Sequence, residues 1–448
     1  SLYQFYLIMA HAFSITDGTE TVTFTSGDIV AIDWTPTAAE INEDAISSTA
    51  DGSYEDVIET IAIRIHSPAD KQTVVDELRK IERILNVARD MRINNIPHIT
   101  TMTATIDGVT GTWVTEIRGG RVDPAEGTLR EWASIGANVS VEVRRRYYWE
   151  ESTATSLTMT YNGGSGTTAA LTNNHDDNWV TVSGVDGSLP APARIELINN
   201  ESAMNGSHEI YMSNNVFNDP SNIDPYLTDG DLDVGTASQS WSSSTHDLVN
   251  PKWAWDLSSG LLADTAGQYF RVLVGFSAIT ENTYFKAHLY NTVSSTNTIV
   301  HEGTTEAYSG ATVLTKKAVL DLGSMPFPPG GLTAASSVRL GITARDTGSG
   351  NATIDYVLLV PAGGFRVLKK TSHSWTSSGS IIDNGFLNTA YMGTDSAQNV
   401  AIIPKYERIF IWPNRTNKLT FMYGFGTTFP STNDFSVKLS VKPRKLTL

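Results

Sequence analysis

The feature that most constrains this 448-residue chain is strict alternation. Phe270, Val272, Val274 and Phe276 are spaced by two, with Arg271 and Gly275 between them. Val338, Leu340, Ile342 and Ala344 alternate with Arg339, Thr343 and Arg345, and Phe435, Val437, Leu439 and Val441 with Ser436, Lys438, Ser440 and Lys442. Successive side chains of a strand point to opposite faces, so each stretch carries one apolar and one polar face. Such strands pair antiparallel and stack face to face as sandwiches. Turn-rich stretches from Gly163 to Gly166, Asn173 to Asp177 and Gly348 to Asn351 separate them. No repeat of fixed period is visible.

The first third departs from this pattern. Val74, Leu78, Ile81, Leu85 and Ala88 recur at helical spacing, opposite Lys71, Arg79, Glu82, Arg83 and Arg89. Ser67 is an N-cap residue, Pro68 suits the first helical position, and Asp70 fills the acidic slot of a capping box. A sheet for this helix is readable in Ile61, Ile63 and Ile65 before it, then Met102, Ala104 and Ile106 after it. The Asp107 to Gly111 turn follows, and Trp113 to Ile117 and Val139 to Val143 read as further strands. Residues 1–150 therefore read as an α+β domain.

A chain of this length exceeds one core and calls for several domains. Apolar residues make up 40% and charged residues 18%, a globular balance. The formal net charge of -16 opposes binding to nucleic acid, whose phosphates need a basic face. Without cysteine there are no disulfides and no thiolate metal sites, so stability rests on packing and oligomerisation. The apolar run Phe5 to Ala10 is far short of a membrane span and lacks the basic flank of a secretory signal, so neither membrane insertion nor secretion is expected.

Asn218-Asp219-Pro220-Ser221 and Pro361-Ala362-Gly363-Gly364 read as linkers. The segment between them, 221–364, has the length of a complete jelly-roll sandwich, and the flanking pieces 151–220 and 365–448 together make another. The expected fold is mainly β: an α+β domain with one long helix, then a discontinuous β-sandwich interrupted by an inserted jelly roll.

Three segments resemble the distal tail protein family of siphophages. Gly187 to Ile195 is similar to the family's small-residue and proline entry into a strand, and Trp412 to Leu419 to its "proline, glycine, x, asparagine, x, leucine" approach to the last strands. Asn414 stands where glycine is usual, and asparagine also tolerates positive φ. Val441 to Leu446 resembles the basic closing strand of many tail proteins. The resemblance implies a galectin-like discontinuous sandwich and a homo-oligomer, a hexameric ring formed by the N-terminal domain. That ring joins the tail tube to the baseplate or tip of a virion assembled in the host cytoplasm. It also implies that an inserted sandwich contacts host-surface glycans. A tail fibre, capsid-decorating or other glycan-binding virion surface protein is the alternative, and a carbohydrate-active enzyme the third reading.

The candidate chemistry is sparse. Nine histidines occur without HExxH spacing, and no nucleophile elbow is present, so no catalytic residue is assigned and no enzyme is expected. Asp229, Asp231 and Asp233 form a D-x-D-x-D run that could offer oxygen ligands to Ca²⁺, but it lacks the glycine and distal glutamate of an EF-hand; a solvated acidic loop is the plain alternative. Trp241, Trp253, Trp255, Tyr284 and Tyr290 are candidate carbohydrate-stacking residues. Trp253 and Trp255 must share a face, so both are core or both are surface, and sandwich cores draw large aromatics inward. Arg144-Arg145-Arg146 followed by Tyr147, Tyr148 and Trp149 combines charge with stacking, as single-strand binders do, but a strand end at a domain or subunit contact explains it as well.

Overall fold

The helical stripe forms a 23-residue helix, Lys71–Ile93. In the computed structural model, which describes residues 12–26, 29–34, 37–39, 54–66, 71–94, 100–124, 136–172, 176–201, 208–215, 226–228, 232, 234–257, 269–280, 282–293, 296–309, 319–326, 337–346, 348–370, 373–394, 397–424 and 435–448, it is the one α-helix among the described residues. The other regular structure among the described residues is strand, apart from a 3₁₀ turn at Ala362–Gly364. Val74, Leu78, Ile81, Leu85 and Ala88 are buried as the spacing requires, and Ile84 joins them. Burying each large side chain contributes roughly 1.5–3 kcal/mol, against about 1 kcal/mol for a cap, so packing fixes this helix. The cap residues Ser67, Pro68 and Asp70 lie outside the described residues.

Two compact units emerge: Ser1–Thr155 with Asp186–Pro190 and Lys442–Leu448, and Ser156–Val185 with Ala191–Val441. In the first, one antiparallel sheet runs in the order Thr21–Thr23, Ala12–Thr16, Thr101–Thr105, Trp113–Pro124, Gly136–Arg145, Val57–His66, Ile29–Trp34 and Thr25–Ser26. Its two ends meet at Phe24, whose N–H donates to the Phe13 carbonyl at 2.9 Å and whose carbonyl accepts from the Ala31 N–H at 2.7 Å. The sheet thus rolls around a core of Ile15, Phe24, Ile61, Ile63, Ile65, Met102 and Val141, with the helix packed into the same core. The helix lies close against Trp113–Pro124, where Gly120 permits the approach: a Cβ there would stand 3.0 Å from Leu85 Cδ2 and 2.2 Å from the Glu142 carbonyl oxygen. The basic segment at the chain's end adds Arg444–Lys445 as a short strand against Trp149–Glu151.

The second unit holds two pairs of antiparallel sheets. One pair combines Phe435–Val441, Ala191–Asn199, Ser380–Asn384, Thr389–Thr394 and Ala397–Ile402 with a sheet running from Gly164–Gly166 through Met159–Tyr161, Trp179–Val182, Asn417–Gly424, His208–Asn215 and Phe365–Lys370 to Pro404–Lys405. Ile195, Leu197, Val437, Leu439, Leu419 and Phe421 fill the space between. The other pair sets Tyr226–Thr228, Gly350–Pro361, Tyr269–Ile279 and Val319–Pro326 over Trp253–Asp256, Ser337–Arg345, Tyr284–Val293 and Thr296–Tyr308. His208–Asn215 and Phe365–Lys370 are hydrogen-bonded neighbours, Ser213 opposite Phe365. Residues 218–221, read as a linker, lie outside the described residues, and Pro361 to Gly364 passes through the 3₁₀ turn straight into the next strand.

Alternation predicts one buried face at Phe270 to Phe276, and the structure buries both. Phe270, Val272, Val274 and Phe276 enter the core of their own sandwich. Leu273 turns the other way and packs with Val319, Tyr356, Leu358 and Val360 against Tyr211, Phe365, Val367 and Met422 of the neighbouring sandwich. Gly275 makes room for this, since a Cβ there would lie 2.4 Å from Tyr356 Cε1.

Candidate functional site

The aromatic candidates are mostly core. Trp241 is 5% exposed, and Trp253, Trp255 and Tyr290 are fully buried. Trp253 and Trp255 do share a face, the inner one. Their indole N–H groups donate to the Ala237 and Thr228 carbonyls at 3.0 and 2.8 Å, which removes the cost of burying a polar group. Trp241 meets Trp253 edge-on, with ring centres 6.0 Å apart. Rings enclosed in this way present no face to a sugar. Tyr284 is half-buried on the outer side, stacked on Tyr308 at 4.6 Å with the Arg345 guanidinium 4.2 Å from its ring centre.

Asp229, Asp231 and Asp233 lie outside the described residues. Among the described residues, no group of three or more His, Cys, Asp or Glu side chains is arranged to hold a metal ion. No helix among them is long and apolar enough to cross a membrane.

The arginine run is committed to its own unit. Arg145 is fully buried, donating through Nε to Glu59 Oε1 at 2.7 Å and through Nη2 to the Thr37 carbonyl at 2.8 Å, with its guanidinium 4.8 Å from the Trp149 ring centre. Arg146 pairs with Glu116 at 2.6 Å, and Arg144 with Asp56 at 3.1 Å. Asp56 also receives Arg118 at 2.9 Å and Arg92, from the last turn of the helix, at 3.4 Å. These pairs tie helix, sheet and strand ends together within the first unit.

The same rolled sheet carries large aliphatics on its outside. Val30, Ile32 and Ile58 are 52%, 60% and 58% exposed. Val30 stands opposite Arg64 and Ile58 opposite Arg144, while Ile32 sits in a bulge between Ala31 and Asp33. Their neighbours Ile29, Ile61, Ile63 and Ile65 point inward and are buried.

In the second unit a cleft of about 220 Å³ opens where the two sandwiches meet, lined by Glu209, Tyr211, Tyr308, Asp321, Lys405 and Tyr406 among others. Its walls are held from behind. The Tyr211 hydroxyl donates to Glu209 Oε2 at 2.7 Å, and burial, with that carboxylate beside it, pushes the hydroxyl well above its usual pKa. Arg271 donates to Asp321 Oδ2 at 2.7 Å and lies 4.4 Å from the Tyr406 ring centre and 4.8 Å from that of Phe365. Glu306, also at the rim, is held down to about 2 by its hydrogen bonds from Arg345 and, after the opposing effect of burial, from His246. Tyr406 is 53% exposed and sits at φ 66°, a backbone region that side chains other than glycine rarely adopt. Sequence reading misses this cleft because its residues come from five separated segments. The available signal is the unbroken apolar run Tyr356 to Val360, which marks a strand covered on both faces and hence a second layer against it.

Against known proteins, no family model matches the chain and no curated protein matches it. Solved structures of phage tail components align along most of its length. The Dit (gp 19.1) protein of phage SPP1, described as a paradigm of hub adsorption apparatus in phages infecting Gram-positive hosts, shares 8% identity at a TM-score of 0.33, over 96% of this chain and 98% of that one. The phage P2 baseplate in its activated conformation with Ca gives 8% identity and a TM-score of 0.28, over 97% of this chain and 98% of that one. The same baseplate with Sr gives 9% and 0.20, over 81% and 98%. At such identities and scores the function has to be argued from this chain's own residues.

Proposed function

We propose that this protein is a structural component of a bacteriophage tail, a distal tail protein whose first unit associates with further copies of itself into a ring between tail tube and tip. The observation that carries the reading is the outward side of the rolled sheet, where Val30, Ile32 and Ile58 are exposed although the inward side supplies a complete core. Burial against a partner would stabilise these aliphatics, of which Val30 and Ile32 lie two residues apart on one strand. The three sequence motifs that resemble distal tail proteins support a second copy as that partner. In one of them Asn414, at the position where the family has glycine, adopts φ 55°, a conformation that glycine and asparagine tolerate.

Light scattering on the purified chain tests this. A mass near six times 48.7 kDa is expected, falling towards one copy in an Ile32→Lys/Ile58→Lys double variant that keeps its circular dichroism. A wild-type monomer at micromolar concentration would sink the ring, and an elongated trimer would favour a fibre or other surface role.

A further inference from the structure

The geometry points to residues 243–251 as a strap that lies closed over the outer face of a four-stranded sheet at neutral pH and lifts in acid. The inference is independent of ring assembly, because every residue it uses belongs to the second unit.

The strand Tyr284–Val293 turns Phe285, Ala287 and Leu289 into the core, so Lys286, His288 and Tyr290 point outward. His288 and Tyr290 are nevertheless fully buried. The segment that covers them is not a strand. The chain leaves Ser238–Trp241, crosses this face at 243–251 and enters the sheet as Trp253–Asp256. Two backbone hydrogen bonds pin its ends, from the Asp346 N–H to the Ser243 carbonyl and from the Lys252 N–H to the Ile342 carbonyl, both at 2.9 Å. Between them side chains hold it. The ring nitrogens of His246 meet Thr343 Oγ1 at 2.9 Å and Glu306 Oε1 at 2.8 Å, and Asn297 donates to the Val249 carbonyl at 2.7 Å. A Cβ on Gly341 would lie 3.1 Å from Pro251 Cβ and 2.6 Å from the His288 imidazole, so strap and ring meet over that glycine.

The covered ring has no place for a positive charge. Neither His288 nitrogen makes a full hydrogen bond among the described residues, and the Leu248 backbone of the strap supplies only a weak one. The titratable and charged groups around it come from four segments. Its own strand brings Lys286 and Tyr290, and Thr296–Tyr308 brings Glu302, directly opposite, with His301 and Glu306. Ser337–Arg345 places Gly341 opposite, between Arg339 and Arg345, and the strap brings His246, Asp247 and Lys252. Lys286 already pairs with Glu302 and Arg345 with Glu306, while Asp247 accepts from the N–H groups of Val249 and Asn250 within its own turn. Burial holds the His288 imidazole down to about 4, and burial lowers His246 as well, against its hydrogen bond to Glu306. Lifting the strap returns both rings to water, where histidine titrates near 6.5. The closed form is thus fully favoured above pH 6.5 and loses ground to the open form as pH falls from there to about 4.

The chain has no cysteine, so a nitroxide on Ser244→Cys, an exposed strap position, reports on this segment alone. Electron paramagnetic resonance of the labelled 448-residue chain, from pH 7.5 to 4.5 with circular dichroism at each step, tests the proposal. The ratio of mobile to immobile label should rise roughly twenty- to thirtyfold between pH 7.5 and 5, the shift that one histidine moving between the two environments supplies, at unchanged sheet signal. His288→Gln, which stays neutral throughout, should remove most of that rise. His246→Gln deletes an anchor and should raise the mobile fraction already at pH 7.5. The proposal is overturned if the label on the chain with both histidines keeps one mobility from pH 7.5 to 4.5, or becomes mobile only where the sheet signal is lost. Both outcomes are read with His288 in place, so they decide even where its variant does not fold. An acid response kept whole in His288→Gln, or a strap equally immobile in His246→Gln, would overturn it too.

Discussion

His288 is fully buried beside Tyr290, their ring centres 5.5 Å apart, and its place depends on Gly341, where a Cβ would come within 2.6 Å of the imidazole. Burial lowers its pKa from 6.5 to about 4; His246 and Lys286 push the same way and Glu302 against. Below pH 6.5 the unfolded chain takes up a proton that the folded one refuses until about 4, so stability falls across that window as pH drops and is fully present above it. The melting temperature should therefore be lower at pH 5 than at pH 7.5, and His288→Gln should flatten that fall; an unchanged slope in the variant would refute the assignment. A second residue-scale expectation concerns Arg145. Arg145→Met leaves Glu59 buried with, among the described residues, Trp34 and Thr37 as hydrogen-bond donors, and should cost about 3–5 kcal/mol in urea unfolding. Part of that loss should return in the Arg145→Met/Glu59→Gln double variant, because the stranded charge is gone. Parity was legible at this scale and identity of the face was not. The two-residue spacing of Trp253 and Trp255 requires a shared side, but only the sheet packed over them decides that it is the core. Likewise Arg144 to Trp149 is legible as a cluster, whereas its partners Asp56, Glu59 and Glu116 are distant in sequence.

Elements were the most legible level, since helix and strand periods differ and local spacing carries them. The Val74 to Ala88 stripe and the Ile61, Ile63, Ile65 alternation correspond to the Lys71–Ile93 helix and the Val57–His66 strand. What local spacing lacks is the neighbour. Alternation at Phe270 to Phe276 accounts for one face, while the burial of Leu273 depends on Tyr211 and Val367, which lie far away in sequence. Leu273→Ala should cost about 2–5 kcal/mol, as for other buried leucines, and should loosen the junction that frames the cleft. Limited proteolysis should then cut the second unit faster than in wild type; equal rates would mean that Leu273 does not hold the sandwiches together. In the first unit, Gly120→Ala forces a methyl against Leu85 and the Glu142 carbonyl. Overpacking of this kind costs about 1–3 kcal/mol, so a lower urea midpoint with an intact helix signal is expected.

Taken as a whole molecule, the chain shows why a sequence pass reads modules more readily than their arrangement. Segment lengths suggest three domains; the structure gathers Asp186–Pro190 and Lys442–Leu448 into its first compact unit and both pairs of sheets into its second. Arg444–Lys445 pairs with Trp149–Glu151 across almost three hundred positions, and Arg444 Nε meets Glu150 Oε2 at 3.0 Å. No periodicity announces such a return, although the basic closing segment is visible as composition. The exposed side is less legible still, because Val30, Ile32 and Ile58 are ordinary strand residues until the structure shows which side they occupy. The central claim, a self-assembling tail ring, is tested most directly by electron-microscope class averages of the purified 448-residue chain. Six-fold closed rings are the predicted result, and isolated single copies or elongated three-fold particles would contradict it.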